Sequence, residues 1–98
     1  MVTDTLPKIP KPAQISDQAA NIAAGIMKSF TWSERQPIEE YGRCLINQVA
    51  PTTGQTLRFI NVLRRYAPYC RQVARLTTDM AALRQLQDEI ARHLAGGV

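Results

Sequence analysis

Two adjacent carboxylates (Glu39, Glu40), one histidine (His93), two cysteines (Cys44, Cys70) and three serines (Ser16, Ser29, Ser33) are the first places to look for chemistry in this 98-residue chain. Their spacing argues against it. Neighbouring carboxylates on a helix point in different directions and cannot face each other as an acid/base pair. Each serine falls at an expected helix boundary, where a hydroxyl serves as a cap. His93 lies near the end of the last expected helix, where it complements the helix dipole. Three Cys and His residues far apart, with no C-x-x-C, fall short of the four ligands of a structural zinc site, and the isolated Gly54 makes no phosphate loop. The expectation is a chain with no catalytic residues, no cofactor and no metal, whose cysteines are small buried hydrophobes in a reducing compartment.

Binding chemistry is better represented. Residues 1–49 carry five basic and five acidic side chains, and residues 50–98 carry seven and three, so the whole net charge of +4 lies in the second half. Every basic residue there is arginine, which favours planar contacts to carboxylates and phosphates. A plainly solvated face is the competing reading. Arg64, Arg71 and Arg75 fall on one side of a helical wheel, opposite Phe59, Val62, Leu63, Tyr66, Cys70, Val73 and Ala74. Within this stretch, Tyr66-Ala67-Pro68-Tyr69 places two aromatic side chains around a proline beside Arg64-Arg65. Exposed, this bend offers residue types common at interface hot spots; the alternative is a helix break with both tyrosines packed inward. The candidate partner-binding residues are therefore Arg64, Arg65, Tyr66, Pro68, Tyr69, Arg71 and Arg75.

A second binding mode is a helix-turn-helix. Pro51-Thr-Thr-Gly54 joins two expected helices, and residues 53–66, with Gln55, Thr56, Arg58, Asn61, Arg64 and Arg65, would form the recognition helix. The modest charge is weak for a DNA reader, which leaves direct nucleic-acid binding open. Membrane binding is disfavoured: the arginines lack a bulky apolar flank, no apolar run reaches spanning length, and no hydrophobic signal core follows Met1. A cytoplasmic protein is expected.

The elements that position these residues are all helical. Ala, Leu, Ile and Gln dominate, and aromatic residues make up 6%. Residues 1–15 read as a flexible Pro/Lys arm, because Pro7, Pro10 and Pro12 exclude a regular helix; Pro7-x-x-Pro10 also has the form of a polyproline ligand, and Leu6, Ile9 and Ile15 suit a partner's groove. Residues 16–98 form a single domain of four to five short helices. The first starts at the Ser16 cap, with Ala19, Ile22, Ala23, Ile26, Met27 and Phe30 inward. The second starts at a Ser33-x-x-Gln36 capping box with Pro37 in its first turn, and runs to about Ala50 with Ile38, Tyr41, Leu45 and Val49 inward. Thr52-x-x-Gln55 caps the third. Pro68 either kinks it or opens a fourth, and two helices meeting at Ala67 is the preferred reading. Thr77, Thr78 and Asp79 introduce the last, with Met80, Leu83, Leu86, Ile90 and Leu94 inward and Gly96-Gly97 as its stop.

Around Arg64-Arg65-Tyr66-Ala67-Pro68-Tyr69-Cys70-Arg71 the chain resembles the small anti-RecBCD proteins of lambdoid phages, the second member of the Abc pair. Length, helical character and the mid-chain proline all fit. The resemblance implies a protein in the host bacterial cytoplasm that binds the RecBCD helicase–nuclease through its RecC subunit. It would alter the response to DNA ends and Chi sequences, so that linear phage DNA survives and recombines. It also implies a host prolyl isomerase as a further partner at Pro68.

Overall fold

The computed structural model describes residues 12–96, whose elements are α1 (Pro12–Ser29), α2 (Trp32–Ile46), α3 (Thr53–Leu63), α4 (Ala67–Leu76) and α5 (Met80–Ala95). The fold is all-α, as expected. Most of the proposed arm, including the Pro7-x-x-Pro10 motif, Leu6 and Ile9, lies outside the described residues. The arm's last residues do not behave as an arm: α1 begins at Pro12, and Ile15 is 1% exposed within its apolar stripe. A proline at the first helical position loses no hydrogen bond, so Pro12 starts the helix and Ser16 lies inside it rather than capping it.

The capping boxes set the next two starts. Thr31 Oγ1 accepts from the Glu34 backbone N–H at 3.3 Å, and Glu34 Oε1 accepts from the Thr31 N–H at 2.8 Å. This box precedes the expected Ser33-x-x-Gln36, so Pro37 lies inside α2 rather than in its first turn. The helix also ends earlier than Ala50. Gln48 takes a left-handed φ of 58°, its N–H returns to the Leu45 carbonyl, and the Val49 N–H reaches the Cys44 carbonyl at 2.8 Å. That is a Schellman stop. Val49 is consequently 57% exposed and not on the inner face. The Thr52–Gln55 box forms as expected, with bonds of 3.1 and 2.8 Å, and starts α3.

Tyr66 breaks the chain between α3 and α4. It is extended (φ −98°, ψ 113°), and Pro68 occupies the second position of α4. Two helices therefore meet here, with the break one residue before Ala67 and the Ala67–Pro68 bond trans. Asp79 caps α5 by accepting from the Ala82 N–H at 3.1 Å. Met80 is 68% exposed instead of buried, while Leu86, Ile90 and Leu94 face inward as expected, joined by Ala82 and Ala91.

Helix α5 is the central element, packed against both α1 and α2, and α4 touches it only lightly. Tyr41 Oη donates to Asp88 Oδ1 at 3.1 Å, and Gly42 lies against Ala91 and Ala95, so the middle of α2 packs on the second half of α5. Contacts of Cys44 with Gln55, Tyr41 with Phe59 and Glu40 with Arg58 show α2 and α3 side by side and antiparallel. Tyr41 and Phe59 stack with centroids 4.0 Å apart, which ties α2, α3 and α5 into one core. No helix of the described residues is long and apolar enough to cross a membrane.

Candidate partner-binding site

Of the seven residues picked from the sequence, Arg64, Arg65, Tyr66, Pro68 and Tyr69 lie at the α3–α4 bend, while Arg71 and Arg75 lie further along α4, Arg75 in its last turn, and the seven do not share one surface. Tyr69 is 2% exposed, and its hydroxyl accepts from Gln87 Nε2 at 2.7 Å. It belongs to the interior and offers no ring to a partner. Burial raises its pKa above the usual phenol value, only partly offset by the Gln87 hydrogen bond and Arg64. Tyr66 is half-buried. Its ring meets Phe30 edge-on at 6.0 Å, and its hydroxyl end covers the backbone of Gly25 on α1. The inward reading of this bend thus holds fully for Tyr69 and in part for Tyr66. Pro68 is half-exposed.

Arg65 is committed to its own chain. Its guanidinium donates to Glu34 Oε2 at 3.0 Å and lies 5.9 Å from the centre of the Phe30 ring. Glu34 thus serves both the α2 cap and this pair. Hydrogen bonds from Thr31 first, and the nearby Arg65 charge second, hold its carboxyl below the usual glutamate range. The cluster of Phe30, Glu34, Arg65 and Tyr66 joins the α1–α2 corner to the α3–α4 corner.

Arg64, Arg71 and Arg75 are all exposed, but the continuous wheel that grouped them does not exist. The extended Tyr66 resets the phase, and α4 buries Tyr69, Gln72 and Leu76 while Cys70 and Ala74 face out. Cys70 is therefore an exposed thiol, donating to the Arg64 carbonyl at 2.8 Å, and Cys44 is half-buried. Arg71 and Arg75, four residues apart, form the outer face of α4. Arg64 instead ends α3 and looks toward α5.

Ion pairing divides the arginines sharply. Arg35 and Arg43 pair with Glu39, Arg58 with Glu40 and Arg65 with Glu34. Arg64, Arg71, Arg75, Arg84 and Arg92 have no carboxylate within 4.0 Å among the described residues. These five exposed guanidinium groups lie at the end of α3 and on α4 and α5. Two of them, Arg64 and Arg84, border a trough between the three helices. One lobe, of about 390 Å³, is lined by Arg64, Tyr69, Cys70, Val73, Leu83 and Gln87. The other, of about 340 Å³, adds Ile60, Met80 and Arg84 and shares Arg64, Leu83 and Gln87 with the first. Sequence reasoning placed Met80 and Leu83 in the core and passed over Arg84 and Gln87. The signal was present, since Met80, Leu83, Arg84 and Gln87 follow the 0, 3, 4, 7 spacing of a single helix face.

The recognition-helix arrangement is not assembled in the same way. Helix α3 ends at Leu63, short of residue 66, and lies alongside α2 instead of crossing it at the steep angle of a helix-turn-helix. Gln55 and Thr56 are engaged with Thr52, and Arg58 and Arg65 with glutamates. The carboxylates Glu39 and Glu40 diverge, one toward arginines of its own helix and the other toward α3. The chain matches no protein-family model, no curated protein and no solved structure.

Proposed function

We propose that this chain is a non-enzymatic binding protein of phage origin. It acts in the host bacterial cytoplasm on the RecBCD helicase–nuclease, engages the RecC subunit, and changes its nuclease and Chi response so that linear phage DNA survives and recombines. The observation that carries a binding role is the set of five exposed arginines, at the end of α3 and on α4 and α5, that have no carboxylate partner among the described residues, while the other four pair with glutamates of the same chain. Exposed guanidinium groups with no carboxylate partner among the described residues favour a partner surface that carries carboxylates or ordinarily holds phosphates. RecBCD itself is named by the resemblance around Arg64–Arg71. In this reading Arg64, Arg71 and Arg75 supply charge complementarity, Arg65 and Tyr66 hold the bend in shape, and half-exposed Pro68 is where a host prolyl isomerase would engage.

The test is capture of purified RecBCD by the tagged chain, with degradation of linear duplex DNA measured in parallel. The R64E/R71E/R75E variant should lose capture, and the wild-type interaction should weaken as salt rises from 50 to 300 mM, roughly the range over which surface charges become screened. Pro68→Ala should reduce recruitment of a prolyl isomerase with helical content unchanged. Failure of the wild-type chain to bind RecBCD, or sequence-dependent DNA binding by the chain by itself, would overturn the assignment.

A further inference from the structure

We propose that the trough between α3, α4 and α5 is a docking site for an acidic amphipathic helix of a partner protein. This rests on reading the chain as a protein-binding module, and it names the chemistry of what one part of that module takes.

The trough has an apolar floor and a basic rim. Ile60 from α3, Val73 from α4 and Leu83 from α5 are half-buried along it, and Met80 stands 68% exposed at one end. Arg64 borders both lobes, and Arg84 borders the second. Among the described residues no aspartate or glutamate lines either lobe. The two arginines come from different helices, and both line the lobe that holds Ile60, Met80 and Leu83, so the apolar strip is bordered by positive charge from α3 and from α5. An occupant that satisfies both features carries apolar side chains at i, i+3 or i+4 and i+7, with carboxylates on either side of that ridge. That is the helix-in-groove mode with its charges fixed by the rim.

Nucleic acid suits the trough less well. A phosphate backbone gains from Arg64 and Arg84 but has no use for a floor of Ile, Val, Leu and Met. The one aromatic side chain there, Tyr69, is buried and hydrogen-bonded to Gln87, leaving no free ring on which a base could stack.

The test uses the full chain and a designed probe: a fluorescein-labelled 16-residue helix with leucines on one stripe and glutamates flanking it. Its counterpart carries lysine at every glutamate position. Fluorescence anisotropy at physiological salt should show saturable binding of the acidic peptide. Backbone amide shifts should concentrate at Ile60, Val73, Leu83 and Gln87. Arg84→Glu and Met80→Glu both alter exposed side chains, and circular dichroism verifies their fold. Each should weaken the peptide by about tenfold or more. No saturable binding, equal binding of the lysine peptide, shifts elsewhere, or displacement by an oligonucleotide but not by unlabelled peptide would each overturn the proposal. The R71E/R75E variant, altered outside the trough, separates the two levels. Peptide binding retained with RecBCD capture lost supports both. Peptide binding to the trough by a chain that never captures RecBCD rejects only the partner's name. RecBCD capture by a chain whose trough takes no acidic peptide rejects only the docking site.

Discussion

A methyl group on Gly42 would run into the Ala91 carbonyl and come within 2.7 Å of the Ala95 side chain, so at this position α2 and α5 meet backbone to backbone. A mid-helix glycine carries a penalty of about 1 kcal/mol relative to alanine, and here that penalty permits the close crossing. Gly42→Ala recovers the propensity but overpacks a backbone group that cannot rotate away. A net loss of about 1–2 kcal/mol is expected, seen as a Tm lower by several degrees. Gly54→Ala, where the nearest group is the mobile end of Arg58 at 3.6 Å, should leave Tm unchanged or slightly raised and serves as control. Equal behaviour of the two variants would sink the packing argument. Nothing in the local sequence marks Gly42 as a contact point. The partner it makes room for lies some fifty residues away. The same limit applies to Gln72: hydropathy sends a glutamine outward, yet α4 buries it with its amide nitrogen unpartnered among the described residues.

At the scale of elements, local chemistry was legible wherever the deciding partners are close in sequence. Thr52 and Gln55 illustrate this, since the box needs only positions three apart. Thr52→Ala removes the acceptor for the Gln55 N–H at the start of α3 and should cost about 1 kcal/mol in urea unfolding with an unchanged m-value. An unaltered midpoint would show that the cap contributes nothing here. The start of α2 was misplaced because two boxes overlap in Thr31-Trp-Ser-Glu-Arg-Gln36, and Pro37 favoured the later one. The chain takes the earlier, which lets Glu34 also reach Arg65, a residue distant in sequence. The phase of α4 was lost for a related reason. A wheel projected through residues 59–75 assumes a constant turn per residue, and one extended residue, Tyr66, removes that assumption. The arginine trio was therefore sound as a list of exposed cations and wrong as a single face.

For the molecule as a whole, stability has an alkaline edge set by two phenols. Tyr41 is buried first of all, and its neighbour Asp88 further disfavours the phenolate; Tyr69 is shifted the same way by burial. Both pKa values are raised above the ordinary value of 10.0, so the folded chain keeps these protons after the unfolded chain has released them. The associated stability is complete below pH 10 and is lost as pH rises through the raised folded values. Absorbance at 295 nm should show the Tyr41 and Tyr69 phenols ionising late and together with loss of helical ellipticity. Early ionisation of these two in a chain still helical would refute this. The overall architecture also has a consequence for how the chain is made. Because α5 lies at the centre, α1 and α2 leave the ribosome with Ile15, Ile26 and Ile38 already on their surfaces, and the element that covers both emerges only after α3 and α4. Until residues 80–95 have been translated the apolar stripe of α1 lacks its main covering element and that of α2 has only α3 against it, so the burden of avoiding aggregation falls on the interval of synthesis rather than on the finished fold.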